Sequence, residues 1–185
     1  VYTHYRFLDK YLYVDLCKSV NSMTSFDNNI IKPGISDRLD ELVAKYNRND
    51  HIFNKIKEIL NDFMTRIEDG KDAEYVKLHE TEKSGNCLQI TAKRSESLKK
   101  AFAAHNIRDE SIDEKCFISS PELYFYLNDV KFTKVSSSST MVNISFPLLD
   151  STCQNLLQLK ESINVIIGDV YLNVLHKLEQ EFLKH

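Results

Sequence analysis

Between Leu39 and Ile67, nine positions, eight of them apolar, fall on two interleaved rows, each stepping by seven. Leu39, Tyr46, Phe53, Leu60 and Ile67 make the first row, and Leu42, Asn49, Ile56 and Phe63 make the second. Asn49 is the single polar exception. A seven-residue step sustained over four heptads is a coiled-coil register, because it keeps one seam facing one partner along the whole helix. It predicts a helix over residues 36–70 that is about 50 Å long at 1.5 Å per residue. Pro33-Gly34 turns the chain into it, Ser36 caps it, Asp37 and Asp40 complement its dipole, and Gly70 ends it. A polar residue at one seam position fixes register at some cost in stability, which is the role expected of Asn49.

A second stripe begins after Pro147. Leu156, Leu159, Ile163, Ile166, Val170, Val174, Leu178 and Phe182 follow the 3.6-residue period almost to the end of the chain. This helix matches the first in length. Gly168 is its weak point, costing about 1 kcal/mol against alanine and marking close helix approach. At the start of the chain, Val1, Tyr5, Leu8, Leu12, Leu16 and Val20 predict one amphipathic helix within residues 1–23.

The region between the long helices changes character. Glu74–Glu80 and Cys87–Lys93 alternate as strands around Gly85-Asn86, which suits a hairpin turn. Ser95 then reads as the cap of a short helix carrying Leu98 and Phe102 on one face. Residues 107–115 are acidic and loop-like, and Pro121 either starts a short helix or sits at a sheet edge. Lys131–Val135 and Met141–Phe146 form a second hairpin, with Ser136–Ser139 as its flexible tip. The expected fold is therefore α+β and mainly α. A long antiparallel two-helix coiled-coil stalk carries a small mixed α/β insertion at its tip, with a short N-terminal helix. The chain divides into residues 1–35, 36–70, 71–147 and 148–185.

Composition removes several function classes. Four glycines in 185 residues leave no room for a glycine-rich phosphate loop. The four cysteines, Cys17, Cys87, Cys116 and Cys153, include no close pair, so a zinc site lacks its local signature and free, partly buried thiols are expected. His79-Glu80 is the one acid/base-like pair, and its alternating context reads as an exposed sheet face. No nucleophile elbow, zinc-protease helix or calcium loop occurs, so no enzyme is expected. No apolar run approaches the length of a membrane span, and the charged, amphipathic start is not a signal peptide. An intracellular, non-secreted protein without membrane partners is the expectation.

The net charge of −3 hides an uneven distribution. Residues 91–108 carry Lys93, Arg94, Lys99, Lys100 and Arg108 against Glu96 alone, a local +4. Lys131 and Lys134 add to it from the second hairpin. With Ser95 and Ser97 beside them, these residues make a candidate site for a phosphate backbone, assisted by the N-terminus of the Ser95 helix. Such contacts position nucleic acid without reading its sequence. The competing reading is a solvated helix face, on a chain whose heptad stripe docks the helix of another protein.

Two stretches resemble a known family. NNIIKPGISDRLDELVAKYN (residues 28–47) is similar to the entry into the lever helix of MutS-type DNA mismatch-recognition proteins, where an Ile/Val-x-Pro-Gly turn precedes a Leu-Asp-Glu-Leu helix start. EYVKLHETEKSGNCLQITAKRSESLKK (residues 74–100) resembles the start of their clamp, a strand pair leading into an Ile-Thr-Lys-Arg stretch. Its wording is nearest the divergent branch carried by large DNA viruses and octocoral mitochondria. The resemblance implies a lever-and-clamp fragment that touches the duplex DNA backbone without sequence specificity, in a protein that dimerises around DNA. Lys93 and Arg94 match the basic end of the clamp strand, and Ser95, Ser97, Lys99 and Lys100 follow where that clamp is polar and basic. Arg108, Lys131 and Lys134 match no family motif and rest on charge alone. ATP, Mg and mismatch sensing belong to the family's other domains, whose Walker loop and Phe-x-Glu motif do not occur here. The compartment then follows the parent protein, as viral factory, mitochondrion or nucleus.

Overall fold

The computed structural model describes residues 2–68, 74–81, 85–107, 115–136 and 140–183. Among these described residues, five α-helices and six strands follow in the order α1 (Tyr2–Asp9), α2 (Val14–Cys17), α3 (Asp37–Ile67), β1 (Lys77–Thr81), β2 (Gly85–Thr91), α4 (Ala92–Ile107), β3 (Lys115–Ser120), β4 (Leu123–Tyr126), β5 (Lys131–Lys134), β6 (Met141–Ser145) and α5 (Pro147–Leu183). The fold is mixed α+β and mainly helical, dominated by α3 and α5. The chain forms two compact units, residues 1–47 with 158–185 and residues 48–157, and both long helices are shared between them.

In the first unit the entry to α3 matches its sequence signals. Gly34 takes φ +80°, which only glycine adopts without strain, and its N–H donates to Asp40 Oδ2 at 2.7 Å. Ser36 caps the helix by accepting the Leu39 N–H at 3.3 Å. Leu39, Leu42 and Val43 of α3 share one core with Ile163, Ile166, Ile167, Val170 and Val174 of α5. That core is not a bare helix pair, because Leu8, Leu12, Phe26, Ile30 and Ile31 complete it.

The single N-terminal helix is corrected by this packing. Backbone at 11–13 pairs with 30–32: Tyr13 N–H donates to Ile30 O and Lys32 N–H to Tyr11 O, each at 2.9 Å. Helical residues cannot offer those groups sideways, so the helix stops at Asp9 and only the short α2 follows. Apolar spacing picked out Leu12, which is buried, but Tyr5 and Leu16 on the same stripe are exposed, and the long-range pairing that claims this backbone left no local signal. The close approach expected at Gly168 is made not by a helix but by the bend at Met23, whose carbonyl oxygen would stand 3.0 Å from a Cβ placed there.

The second unit buries Phe53, Ile56, Leu60, Phe63 and Met64 of α3. Asn49 meets Asn155 of α5, whose amide donates to its Oδ1 at 3.3 Å. One further polar residue organises the unit. Asn61 Oδ1 accepts the N–H groups of Tyr75 and Val76 at 2.8 and 2.9 Å, and its Nδ2 donates to Val76 O at 3.2 Å and Lys57 O at 3.0 Å. A side chain thus takes the place of a neighbouring strand where the chain enters β1. Lys57 adds an ion pair to Glu74 at 2.6 Å, which holds that carboxyl below its usual range.

The two sequence hairpins join into one antiparallel sheet of order β1-β2-β6-β5, through pairing of β2 with β6. Strand boundaries move to Lys77–Thr81 and Gly85–Thr91, beyond which Ala92 is already helical. Gly85 (φ +68°) packs against Leu157, which a Cβ would meet at 3.3 Å. On the face bearing Cys87, Gln89 and Asn143, Gln89 Nε2 donates to Asn143 Oδ1 at 2.9 Å, and Ser145 bonds Asp150 of α5. The opposite face carries Leu88, Ile90, Val142 and Ile144, all buried, with α4 packed on it. Around Pro121, read from sequence as either helix start or sheet edge, the chain makes a separate hairpin of β3 and β4 with Pro121-Glu122 in its turn. Gly70 and Ser137–Ser139 lie outside the described residues. Replacing Asn61 by alanine strands two backbone N–H groups and a carbonyl, and is expected to lower stability by about 2–4 kcal/mol in urea unfolding. A change below about 0.5 kcal/mol, the scale of a neutral surface substitution, contradicts that role.

Candidate nucleic-acid interface

Helix α4 starts three residues earlier than its sequence suggested. Thr91, the last residue of β2, caps it by accepting the Arg94 N–H at 3.4 Å, and the Ala92 N–H donates to Thr140 O at 2.8 Å. Ser95 is therefore not the cap. It is 2% exposed and its hydroxyl donates to Ala92 O at 2.8 Å. Two of the first three amides of the helix are already taken within the fold, so the expected phosphate seat at a Ser95 N-terminus is not formed.

Burial of Ser95, Leu98 and Phe102 fixes the rotation of α4. Lys93, Glu96 and Lys100 stand on the opposite, exposed side at helical spacing. Lys93 and Lys100 have no ion-pair partner among the described residues. Lys99 is exposed beside them, paired with Glu96 at 2.7 Å, and its ammonium lies 5.6 Å from the ring of Phe132 on β5. Ser97 is half-buried.

The remaining sequence candidates separate. Arg94 leaves the group entirely: its Nε donates to Glu68 Oε1 at 3.2 Å and its guanidinium sits 4.7 Å from the Tyr75 ring. Lys134 shares a side of β5 with Phe132, the residue beneath Lys99, whereas Lys131 alternates to the other side. Arg108 lies outside the described residues. The described face thus holds Lys93, Lys99 and Lys100 against Glu96, a formal +2 where the sequence count over residues 91–108 was +4.

Other candidate chemistry is dispersed. His79 and Glu80 are both exposed on β1 and alternate to opposite sides of the strand, so they do not act on one group. The cysteines are free. Burial pushes the Cys153 thiol up to about 12, with Cys87 and Asp150 adding to the effect, so it stays a protonated thiol at neutral pH. No group of three or more His, Cys, Asp or Glu side chains among the described residues could hold a metal ion. No helix among them is long and apolar enough to cross a membrane. Sequence reasoning missed Lys115 and the aromatic residues of the β3–β4 hairpin, although the alternation in KCFISS and LYFY carried a two-faced strand signal.

No protein-family model matches the chain, and no curated protein sequence matches it significantly.

Arg94 serves the fold, joining the end of α3 to the start of α4. Arg94→Ala is expected to lower stability by about 1–2 kcal/mol through loss of the ion pair and the ring contact. Equilibrium unfolding checks this, and the same variant is expected to leave any duplex DNA affinity unchanged. A fall in affinity with unaltered stability contradicts the assignment.

Proposed function

We propose that this chain is the lever-and-clamp region of a MutS-like DNA mismatch repair protein, and that the lysine side of α4 contacts the duplex DNA backbone without reading sequence. The observation that carries the reading is the lysine side of α4, where Lys93 and Lys100 stand exposed, without an ion-pair partner among the described residues, in an α/β unit lying between two long helices in chain order. Lys99 and Lys134 flank that side. Ammonium groups on a rigid helix, with no partner to give up among the described residues, release DNA counterions at little cost in lost protein contacts. In this reading α3 and α5 form the antiparallel coiled-coil lever, with Asn49 and Asn155 as its polar register pair. The chain carries no catalytic step. ATP and Mg, mismatch sensing and dimerisation around DNA belong to the parent protein, and the compartment is intracellular and follows that parent.

The alternative, an interaction module docking a foreign helix on the heptad stripe, is supported less well. Leu39, Phe53, Ile56, Leu60 and Phe63 are buried within this chain, so the stripe offers no open groove.

Fluorescence anisotropy with a labelled duplex tests the proposal on the full chain. Log affinity is expected to fall linearly with log salt, and Lys93→Glu with Lys100→Glu to reduce the slope by about two, at roughly 0.9 per phosphate contact. Lys131→Glu, on the other side of β5, is the control with little effect. Equal affinity and slope for the double variant and the parent chain overturn the assignment.

A further inference from the structure

The β3–β4 hairpin has two chemically distinct faces. Cys116, Ile118 and Phe125 are buried, and Phe125 stacks on Phe146 with ring centroids 4.6 Å apart. The other face carries Lys115, Phe117, Tyr124 and Tyr126, with Lys115 opposite Tyr126 and Phe117 opposite Tyr124 in the strand register. Phe117 is 54% exposed. Its ring meets Tyr124 edge-on at 6.0 Å, and Tyr124 meets Tyr126 edge-on at 5.4 Å. The Lys115 ammonium lies 4.5 Å from the Tyr124 centroid and 5.8 Å from that of Tyr126. Glu122 sits in the turn, at the opposite end of the hairpin from Lys115.

An outward sheet face made of three aromatic rings and an ammonium, with no aliphatic side chain among them, is unusual for a solvated hairpin. The Tyr124 ring is met by the edge of a neighbouring ring and by the Lys115 ammonium, which leaves Phe117 as the most exposed ring of the face, with a positive charge close by. We propose that this face binds single-stranded nucleic acid, with an unpaired base stacking on the exposed Phe117 ring and Lys115 neutralising the adjoining phosphate. Every base offers a π-face, so such a platform tolerates sequence, and the charge of the strand complements Lys115. Bases inside a duplex have no free faces, so the preference is for unpaired strands. The site goes beyond the duplex-backbone reading and uses none of its lysines.

The chain has nine tyrosines and no tryptophan, so tyrosine emission reports directly on stacking. A short oligothymidylate titrated into the full chain is expected to quench it. Phe117→Leu keeps the apolar bulk but removes the ring, and is expected to weaken this binding about tenfold or more, whereas Phe117→Trp retains it. Lys115→Gln is expected to lower the salt slope by about 0.7, the value for one single-strand phosphate contact. Duplex affinity stays unchanged in all three variants, which separates failure here from failure of the α4 reading. Undiminished binding by Phe117→Leu, or no quenching of the parent chain at about 100 μM oligonucleotide, a concentration covering ordinary nonspecific affinities, overturns the proposal.

Discussion

Everything in the 48–157 unit depends on how the chain leaves α3 and starts a sheet, and Asn61 governs that step. A strand that begins beside a helix has no neighbouring strand to satisfy its first amides, and burying them unpaired is costly. Asn61 supplies both an acceptor and a donor from the helix surface, so Tyr75 and Val76 are bonded before β1 begins. The buried Tyr75 ring then receives the Arg94 guanidinium, which ties the first turn of α4 to the end of α3. One carboxamide therefore sets where the sheet lies, and the sheet sets where α4 lies.

The β2–β6 pairing has a comparable consequence for charge. With α4 packed on the Leu88, Ile90, Val142 and Ile144 side, the helix can turn only one way, with Ser95, Leu98 and Phe102 inward. Lys93 and Lys100 are outward because those three are inward, and Arg94 is held at the flank. A cluster that is continuous in sequence is thus sorted by one rotation angle into exposed cations and a cation committed to the fold. The same principle of two-faced elements leaves aromatic rings and Lys115 together on the β3–β4 hairpin.

Elements set by local chemistry were legible in the sequence. The Pro33-Gly34 turn, the Ser36 cap, the seven-residue rows of α3 and the stripe of α5 as far as Leu178 each depend on residues a few positions apart, and each is present in the structure, whereas Phe182 at the end of that stripe is exposed. The first and second hairpins were legible for the same reason, to within two or three residues. What was not legible is non-local. The pairing of residues 11–13 with 30–32 divides an apparently continuous helix, and the Gln89–Asn143 contact joins two hairpins that look independent. Ser95 is not the cap because the helix already begins at Ala92 with Thr91 as its cap, and the Ser95 hydroxyl, one turn in, donates back to Ala92 O. Among the candidate site residues, sequence charge identified Lys93, Lys99 and Lys100 as exposed cations. It could not separate them from Arg94, whose partner Glu68 is 26 residues away.

The central claim is that the α4 side, and not charge spread over the molecule, engages duplex DNA. Lysine acetylation footprinting tests it most directly, because it reads each ammonium in the unmodified chain. Saturating duplex is expected to protect Lys93 and Lys100 strongly and Lys99 in part, while Lys10 and Lys18 of the first unit acetylate at the rate of the free protein. Equal protection of all these lysines, or protection confined to Lys10 and Lys18, contradicts the account.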